Sequence, residues 1–513
     1  MNSKFKNLFI AILTALVLVG IAFTSHAQYS VNVSSHGGKS TYKINNVVGD
    51  YKVEYEGDFQ LSDDDKDIVA ISRGGYFEIS KSSFGASRKV RIESEGGQMK
   101  RRYYVGWSEN DFEPEGRKWL AEVLPDLVRS TTIGAEYRVD RIYRKQGAAG
   151  LAKEVSLLQG DHVTSTYLSL IFKKELSDSD LAKLLTAAGN TISSDHYLSN
   201  VLTNFQKKYS LNAITTGPFI EAATKVGSDH YQANILISVA ENSNVGDEYL
   251  EQAIKATRGI NSDHYRSNAL KVFVNHKKLN TKQIAAVLES ADGINSGHYL
   301  SNMLIELLDE QELNSENVSQ FVRVAEGIDS DVYSVNTYQA LLQKQTLTNN
   351  DLEQILGAVD EIGSDTYLSN LLREMLEEKR DTPILKKLFE AAADNIGSDH
   401  YLAEVLKTAV RKQKIEGQAM DAFASAIQSI SSGNYVHSVI QESRNVAWGN
   451  ESLIKLINAC GQIGSDHYLA QSLTTLAPQV NQSDDAVKSA YRNTAKRISS
   501  ETYYGRAMKA LDY

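Results

Sequence analysis

Cysteine is almost missing from this chain: Cys460 stands alone among 513 residues. No intrachain disulfide can form, so cohesion must come from packing. Basic charge is also scarce. The 54 Lys and Arg are outnumbered by 64 Asp and Glu, for a net charge of −10. Lys100, Arg101 and Arg102 form the only compact basic cluster, and a solvated strand face explains it. An acidic chain without a basic stripe is a poor nucleic-acid binder. Catalytic signatures are missing too: no G-x-S-x-G, no Walker loop, no G-x-G-x-x-G and no Cys–His pair with a role. These absences lead to the expectation of a non-enzymatic protein without cofactor or metal.

What is present begins with Lys4 and Lys6, the apolar run Leu8–Phe23, and "TSHAQ" with Ser25 and Ala27 at the −3 and −1 positions. This is the pattern of a signal peptide over residues 1–27. The run is shorter than the ~20 residues of a spanning helix; an uncleaved anchor is the competing reading. No Cys follows it, which argues against a lipoprotein. The expectation is an exported protein, periplasmic or extracellular, with no membrane span after cleavage.

Residues 28–513 exceed the roughly 250–300 residues over which one core keeps growing, so several domains or a repeat array are expected. A repeat is visible. The stretch "SDHYLSN" at Ser194–Asn200 returns as "SDHYQAN", "SDHYRSN", "SGHYLSN", "SDTYLSN", "SDHYLAE" and "SDHYLAQ". Its tyrosine marks Tyr167, Tyr197, Tyr231, Tyr265, Tyr299, Tyr333, Tyr367, Tyr401, Tyr435, Tyr468 and Tyr503. Seven consecutive spacings are 34 residues. A fixed period of this size is the mark of a stacked array. Each unit reads as two helices. The first opens at the motif, with Ser as cap and Asp in the first turn, where the helix dipole favours negative charge. Its stripe in one unit is Leu368, Leu371, Leu372, Met375 and Leu376. The second helix opens at Asp381, Thr382 and Pro383, or at polar caps as in "LNTKQIAAVL". It ends before Gly, Asn or Ser, residues that suit a left-handed exit. The predicted fold is an all-α solenoid over residues 133–513, similar in class to HEAT and tetratricopeptide arrays. The tetratricopeptide pattern W-x2-L-G-x2-Y is absent, so only the general class is implied.

His196, His230, His264, His298, His400 and His467 precede the repeat tyrosine. Equivalent residues of adjacent units lie ~10 Å apart, too far to share an ion bound at ~2.0–2.1 Å. A structural role is therefore expected for them and for the neighbouring Asp. The repeat positions Tyr197, Tyr231, Tyr265, Tyr299, Tyr367, Tyr401 and Tyr468 are expected to be buried structural residues. Asn200, Asn234, Asn268, Asn302, Asn336 and Asn370 are expected to form a ladder bonding backbone at corners or neighbouring units; a peptide-gripping row is the sharper alternative. Cys460 occupies a slot held elsewhere by Ala223, Ala291, Ala325 and Ala393, so a buried structural thiol is expected.

Before the array, "YKVEYEGDFQ", "DIVAIS", "YFEIS", "RKVRIES" and "RRYYV" predict a small antiparallel β-domain over residues 28–108. A linker helix over 109–132 follows, with Trp119, Leu120, Val123, Leu124 and Leu127 inward. "DDDKD" at Asp63–Asp67 lacks the Gly and Glu of an EF-hand and reads as a solvated turn. "YEGDFQLSDDDKDIVAISRGGYFEIS" resembles a β module of uncharacterised bacterial envelope proteins, some of which also carry the extracytoplasmic region of antibiotic-sensor-type membrane metallopeptidases. The resemblance spans roughly residues 50–130. The peptidase's H-E-x-x-H motif is absent, so no zinc-protease activity is implied.

The expected function is an exported scaffold that binds a protein or peptide partner through the array. One alternative is an envelope enzyme or glycan-binding protein with its site in the β-domain or at its junction with the array. The other is a regulatory partner of a membrane sensor.

Overall fold

The computed structural model describes residues 30–511 except 37, 47–48, 84–85 and 243; the leader read at 1–27 lies outside them. The chain divides into two compact units, with the boundary between Tyr209 and Ser210.

The N-terminal unit opens with nine strands: β1 (Ser30–His36), β2 (Lys39–Asn46), β3 (Gly49–Glu56), β4 (Phe59–Leu61), β5 (Ile68–Ile71), β6 (Tyr76–Ser83), β7 (Ala86–Glu95), β8 (Gln98–Val105) and β9 (Ser108–Asn110). Seven form an antiparallel sheet in the order β1-β2-β3-β6-β7-β8-β9, and β4 pairs with β5. Alternation decides which face is dry. Val53 pairs with Ile79, Ile79 with Val90, and Val90 with Tyr103, one apolar row across four strands. The opposite face carries Glu54, Glu78, Arg91, Glu93 and Arg102, in ion pairs across strands (Lys39–Glu54, Arg91–Glu78, Arg102–Glu93) and within β7 (Arg91–Glu93). Against the dry face lies α1 (Arg117–Ser130), whose Trp119, Leu120, Val123, Leu124 and Leu127 are all buried in the core shared with the sheet.

Helices α2 (Ala135–Val155), α3 (Asp161–Ile171), α4 (Asp178–Thr191) and α5 (Asp195–Lys208) complete this unit. Helix α2 breaks at Gly147, where φ is 62° and ψ −159°. Only glycine adopts that conformation without strain.

The C-terminal unit is helical throughout. It contains α6 (Thr216–Ala223), α7 (Asp229–Ala240), α8 (Asp247–Ala256), α9 (Asp263–His276), α10 (Thr281–Ala291), α11 (Gly297–Glu310), α12 (Ser315–Ala325), α13 (Asp331–Lys344) and α14 (Asn349–Ala358). Then come α15 (Asp365–Met375), α16 (Thr382–Asn395), α17 (Asp399–Lys412), α18 (Gln418–Ser429), α19 (Gly433–Glu442), α20 (Asn450–Cys460), α21 (Asp466–Asn481), α22 (Asp485–Ala495) and α23 (Glu501–Leu511). From α7 onward the odd-numbered helices open at the repeat motif and pack on one another, as do the even-numbered ones. The fold is a solenoid of two-helix repeats following a small β-domain.

Several even-numbered helices begin at side-chain caps. Asn280 accepts from the N–H groups of Lys282 and Gln283, and the Gln283 carboxamide accepts in return from the Asn280 N–H. Thr348 with Asp351 repeats this box, and Asp381 accepts from the Ile384 N–H. Such caps satisfy N–H groups that have no partner within the helix.

The odd-numbered helices begin differently from the expectation. The serines Ser228, Ser262, Ser296, Ser330, Ser364, Ser398, Ser432 and Ser465 make no side-chain cap. Nor is the exit left-handed: Ile260 and Ile396 are extended, at φ −81° and −99°, and Asn261 and Gly397 after them have no positive φ. The small residue after each isoleucine serves another purpose, described next.

Candidate functional site

The repeat aspartate bonds forward to the next corner. Asp229 accepts from the backbone N–H groups of Asn261 (2.8 Å) and Ser262 (2.9 Å). Asp263 does the same with Asn295 and Ser296, Asp399 with Ser431 and Ser432, and Asp466 with Ser499 and Ser500. Asp161 clasps Ser193 and Ser194 within the N-terminal unit. Asp331 and Asp365 each hold one N–H, of Gly363 and Gly397. The corner thus needs a free N–H on an extended backbone, and Gly, Asn or Ser supplies it equally. Glycine replaces the aspartate twice, at Gly297 and Gly433, and the two have different neighbours. Gly297 replaces the aspartate where the following corner carries Asp329, whose Oδ1 lies 2.8 Å from the position a Cβ on Gly297 would take. A second carboxylate there would meet the first.

At the other end of the odd-numbered helices a second latch operates. The buried Gln311 donates to the carbonyls of Val274 (2.7 Å) and Lys277 (2.9 Å) and accepts from the Leu279 N–H. Gln345 and Gln413 repeat these bonds one and three units further on. In the N-terminal unit the equivalent Tyr209 donates to the Lys174 carbonyl. The glutamines recur at 34-residue multiples, a signal the sequence held without revealing its purpose.

The tyrosine, histidine and asparagine of the motif form a surface row. Each His ring lies between two Tyr rings: His230 sits 5.4 Å from both Tyr231 and Tyr265, and His264 lies 5.1 Å from Tyr265 and 5.5 Å from Tyr299. His298 joins Tyr299 and Tyr333, His400 joins Tyr401 and Tyr435, and His467 joins Tyr468 and Tyr503. In the N-terminal unit Tyr197 meets His162 and His196. These separations suit aromatic contact. The tyrosines are not buried as expected: Tyr197, Tyr231, Tyr265, Tyr299, Tyr401 and Tyr468 are half-buried and Tyr367 is exposed.

The asparagines depart further from the expected backbone ladder. Asn200, Asn234, Asn268 and Asn302 each place Nδ2 within 2.8–3.3 Å of the histidine one turn earlier. Asn336 and Asn370 follow Val332 and Thr366 instead of histidine. They project to solvent without a hydrogen-bond partner among the described residues. The motif therefore divides its labour: Asp joins units, while Tyr, His and Asn face outward.

In the N-terminal unit a polar cleft of about 190 Å³ is lined by Asp63, Asp64, Asp65, Arg129, Arg141 and Glu154 among others. Asp65 is not in a solvated turn. It is buried, with φ 60°, and its carboxylate bonds Arg138 (2.9 Å) and Arg141 (2.6 Å). Arg138, fully buried, also donates to Glu154 (2.6 Å) and the Tyr167 hydroxyl. Burial alone would raise the Glu154 pKa; Arg129 and Arg138 overcome it and hold the carboxyl below the usual range. Each buried carboxylate is committed to a guanidinium, an arrangement that fastens the β4–β5 loop to α2. Sequence reasoning missed these arginines because their partners lie far along the chain.

Cys460 is fully buried, and burial pushes its thiol up to about 12. Such a thiol stays protonated and inert.

No family model matches the chain, and no curated protein does. Among solved structures, a homology model of the full-length AP-3 complex in an intermediate open conformation is similar over 74% of this chain and 90% of that chain, at 10% identity and a TM-score of 0.24. The SYS-1/POP-1 complex is similar over 78% of both chains, at 11% identity and a TM-score of 0.24. A circular tandem repeat protein with a novel repeat topology is similar over 78% of both chains, at 12% identity and a TM-score of 0.14. At these scores the likeness bears on neither partner nor activity.

Proposed function

We propose that the chain is a non-enzymatic scaffold whose odd-numbered helices bind an extended peptide segment of a partner protein. The observation that carries this reading is the outward row of Asn amides from Asn200 to Asn370, with Tyr–His rings in most of those units. Adjacent helices pack ~8–10 Å apart, and an extended chain rises ~3.3 Å per residue. One amide per unit therefore falls opposite about every third peptide residue. An amide both donates to and accepts from a peptide backbone, and half-buried tyrosines offer apolar area with polar tips. The leader pattern around Lys4, Lys6 and Leu8–Phe23 supports placing this scaffold outside the cytoplasm, most naturally in the periplasm.

The test is panning a displayed random-peptide library on residues 28–513 and on the N234A/N268A/N302A variant. Related peptides enriched by the first and lost by the second are expected. Equal enrichment on both, or no enrichment on either, would refute the proposal.

A further inference from the structure

The row changes character toward its end. Three residues after the repeat tyrosine, Asn336 and Asn370 give way to Glu404, Ser438, Gln471 and Arg506. Where it changes, α19, α21 and α23 border an open cleft of about 600 Å³. His437 and His467 line it, as do Arg506 and Lys509, three residues apart on α23. Ala470 and Ala510, with Thr474 and Thr475, also line it. No carboxylate is among the described lining residues, in a chain whose net charge is −10.

Arg506 is exposed, lies 5.4 Å from the Tyr503 ring, and makes no ion pair among the described residues. The ring restrains the guanidinium while leaving its donor edge open to a planar acid. Burial, with the neighbouring His467, holds His437 below its ordinary pKa, and its ring meets Ser472 Oγ at 3.2 Å. Arg506 on α23 brings a permanent positive charge to the cleft.

We propose that this cleft receives an Asp or Glu side chain of the bound peptide, with Arg506 gripping the carboxylate and Ala470 and Ala510 taking its methylene stem. This rests on the peptide reading above and adds its sequence preference. A charge-assisted pair with a forked donor is stronger and more directional than a neutral hydrogen bond.

The experiment uses fluorescein-labelled octapeptides of alternating Ala and Glu, or Ala and Gln, titrated with residues 28–513 and followed by anisotropy. The Glu peptide should bind at least about tenfold more tightly, as one charged hydrogen bond permits. Arg506→Ala should remove that advantage with its melting temperature unchanged, and Arg506→Lys should keep part of it. Equal binding of the two peptides, or an Arg506→Ala variant that still prefers Glu, would overturn the proposal. So would displacement of the Glu peptide by inorganic phosphate at lower concentration than by free glutamate, which would assign the cleft to phosphoryl groups. If the Glu peptide fails while the asparagine variant still loses its selected peptides, the cleft assignment falls and the row stands.

Discussion

In the N-terminal unit Arg138 reaches Asp65 across 73 residues of chain, and sheet, loop and three helices meet around that pair. In the C-terminal unit the aspartate clasps between repeats span 32 to 34 residues, and the same bond recurs from corner to corner. The first unit concentrates its polar cohesion in one buried cluster. The second distributes it over many equivalent clasps. Damage to the cluster should reach the whole unit, whereas damage to a clasp should stay near one repeat, since stability there is a sum of neighbouring terms.

The largest expected effect is Arg138→Met. It leaves Asp65 and Glu154 with fewer partners in a dry site and should cost about 3–5 kcal/mol. Urea unfolding should show an early transition of the N-terminal unit and an unaltered one for the array. A loss below about 1 kcal/mol would erase the contrast between the units. Gln311→Ala comes next. It strands the Leu279 N–H and the Val274 and Lys277 carbonyls and should cost about 2–3 kcal/mol. Hydrogen exchange should quicken around α9–α11 and remain slow at α21. Uniform quickening would mean that the array unfolds as one body.

Acid sharpens the comparison further. The Glu154 pKa is lowered on folding, so its contribution is complete above the ordinary value of 4.5 and fades as pH falls through the folded value. Glu154→Gln should flatten the acid limb of stability in the N-terminal unit alone, as read by fluorescence of Trp119. The smallest effect concerns the clasp missing at Gly297. Gly297→Asp should destabilise by about 1 kcal/mol through its approach to Asp329. Adding Asp329→Asn should recover that loss by forming the clasp found elsewhere. A double variant no better than the single one would deny that the two positions are linked.

The array was legible because each apolar stripe and cap recurs, and repetition separates signal from chance. Strands β3 to β8 were legible from alternation, as in "YKVEYE" and "RKVRIES". Strands β1 and β2 were not: "SVNVSSH" and "KSTYKINN" are rich in Ser, Asn and Lys, and their strand identity comes from pairing with neighbours. The aspartate of the Asp–His neighbours joins units, but its partner was hidden because it lies a full repeat away. The outward facing of Asn234 and Tyr265 was equally hidden, since a period of 34 fixes a shared position and leaves burial undecided. Arg138 gave no signal, because it does not repeat.

The account turns on the division between a joining aspartate and an outward asparagine. The direct measurement is thermal unfolding of D229A/D263A/D399A beside N234A/N268A/N302A. Each lost pair of charged bonds should cost about 2 kcal/mol, so the aspartate variant should melt roughly 10 °C or more below the parent. The asparagine variant should stay within about 2 °C, because alanine's better helix propensity offsets an exposed bond to histidine. An asparagine variant that melts as low as the aspartate one, or an aspartate variant that melts with the parent, would contradict the account.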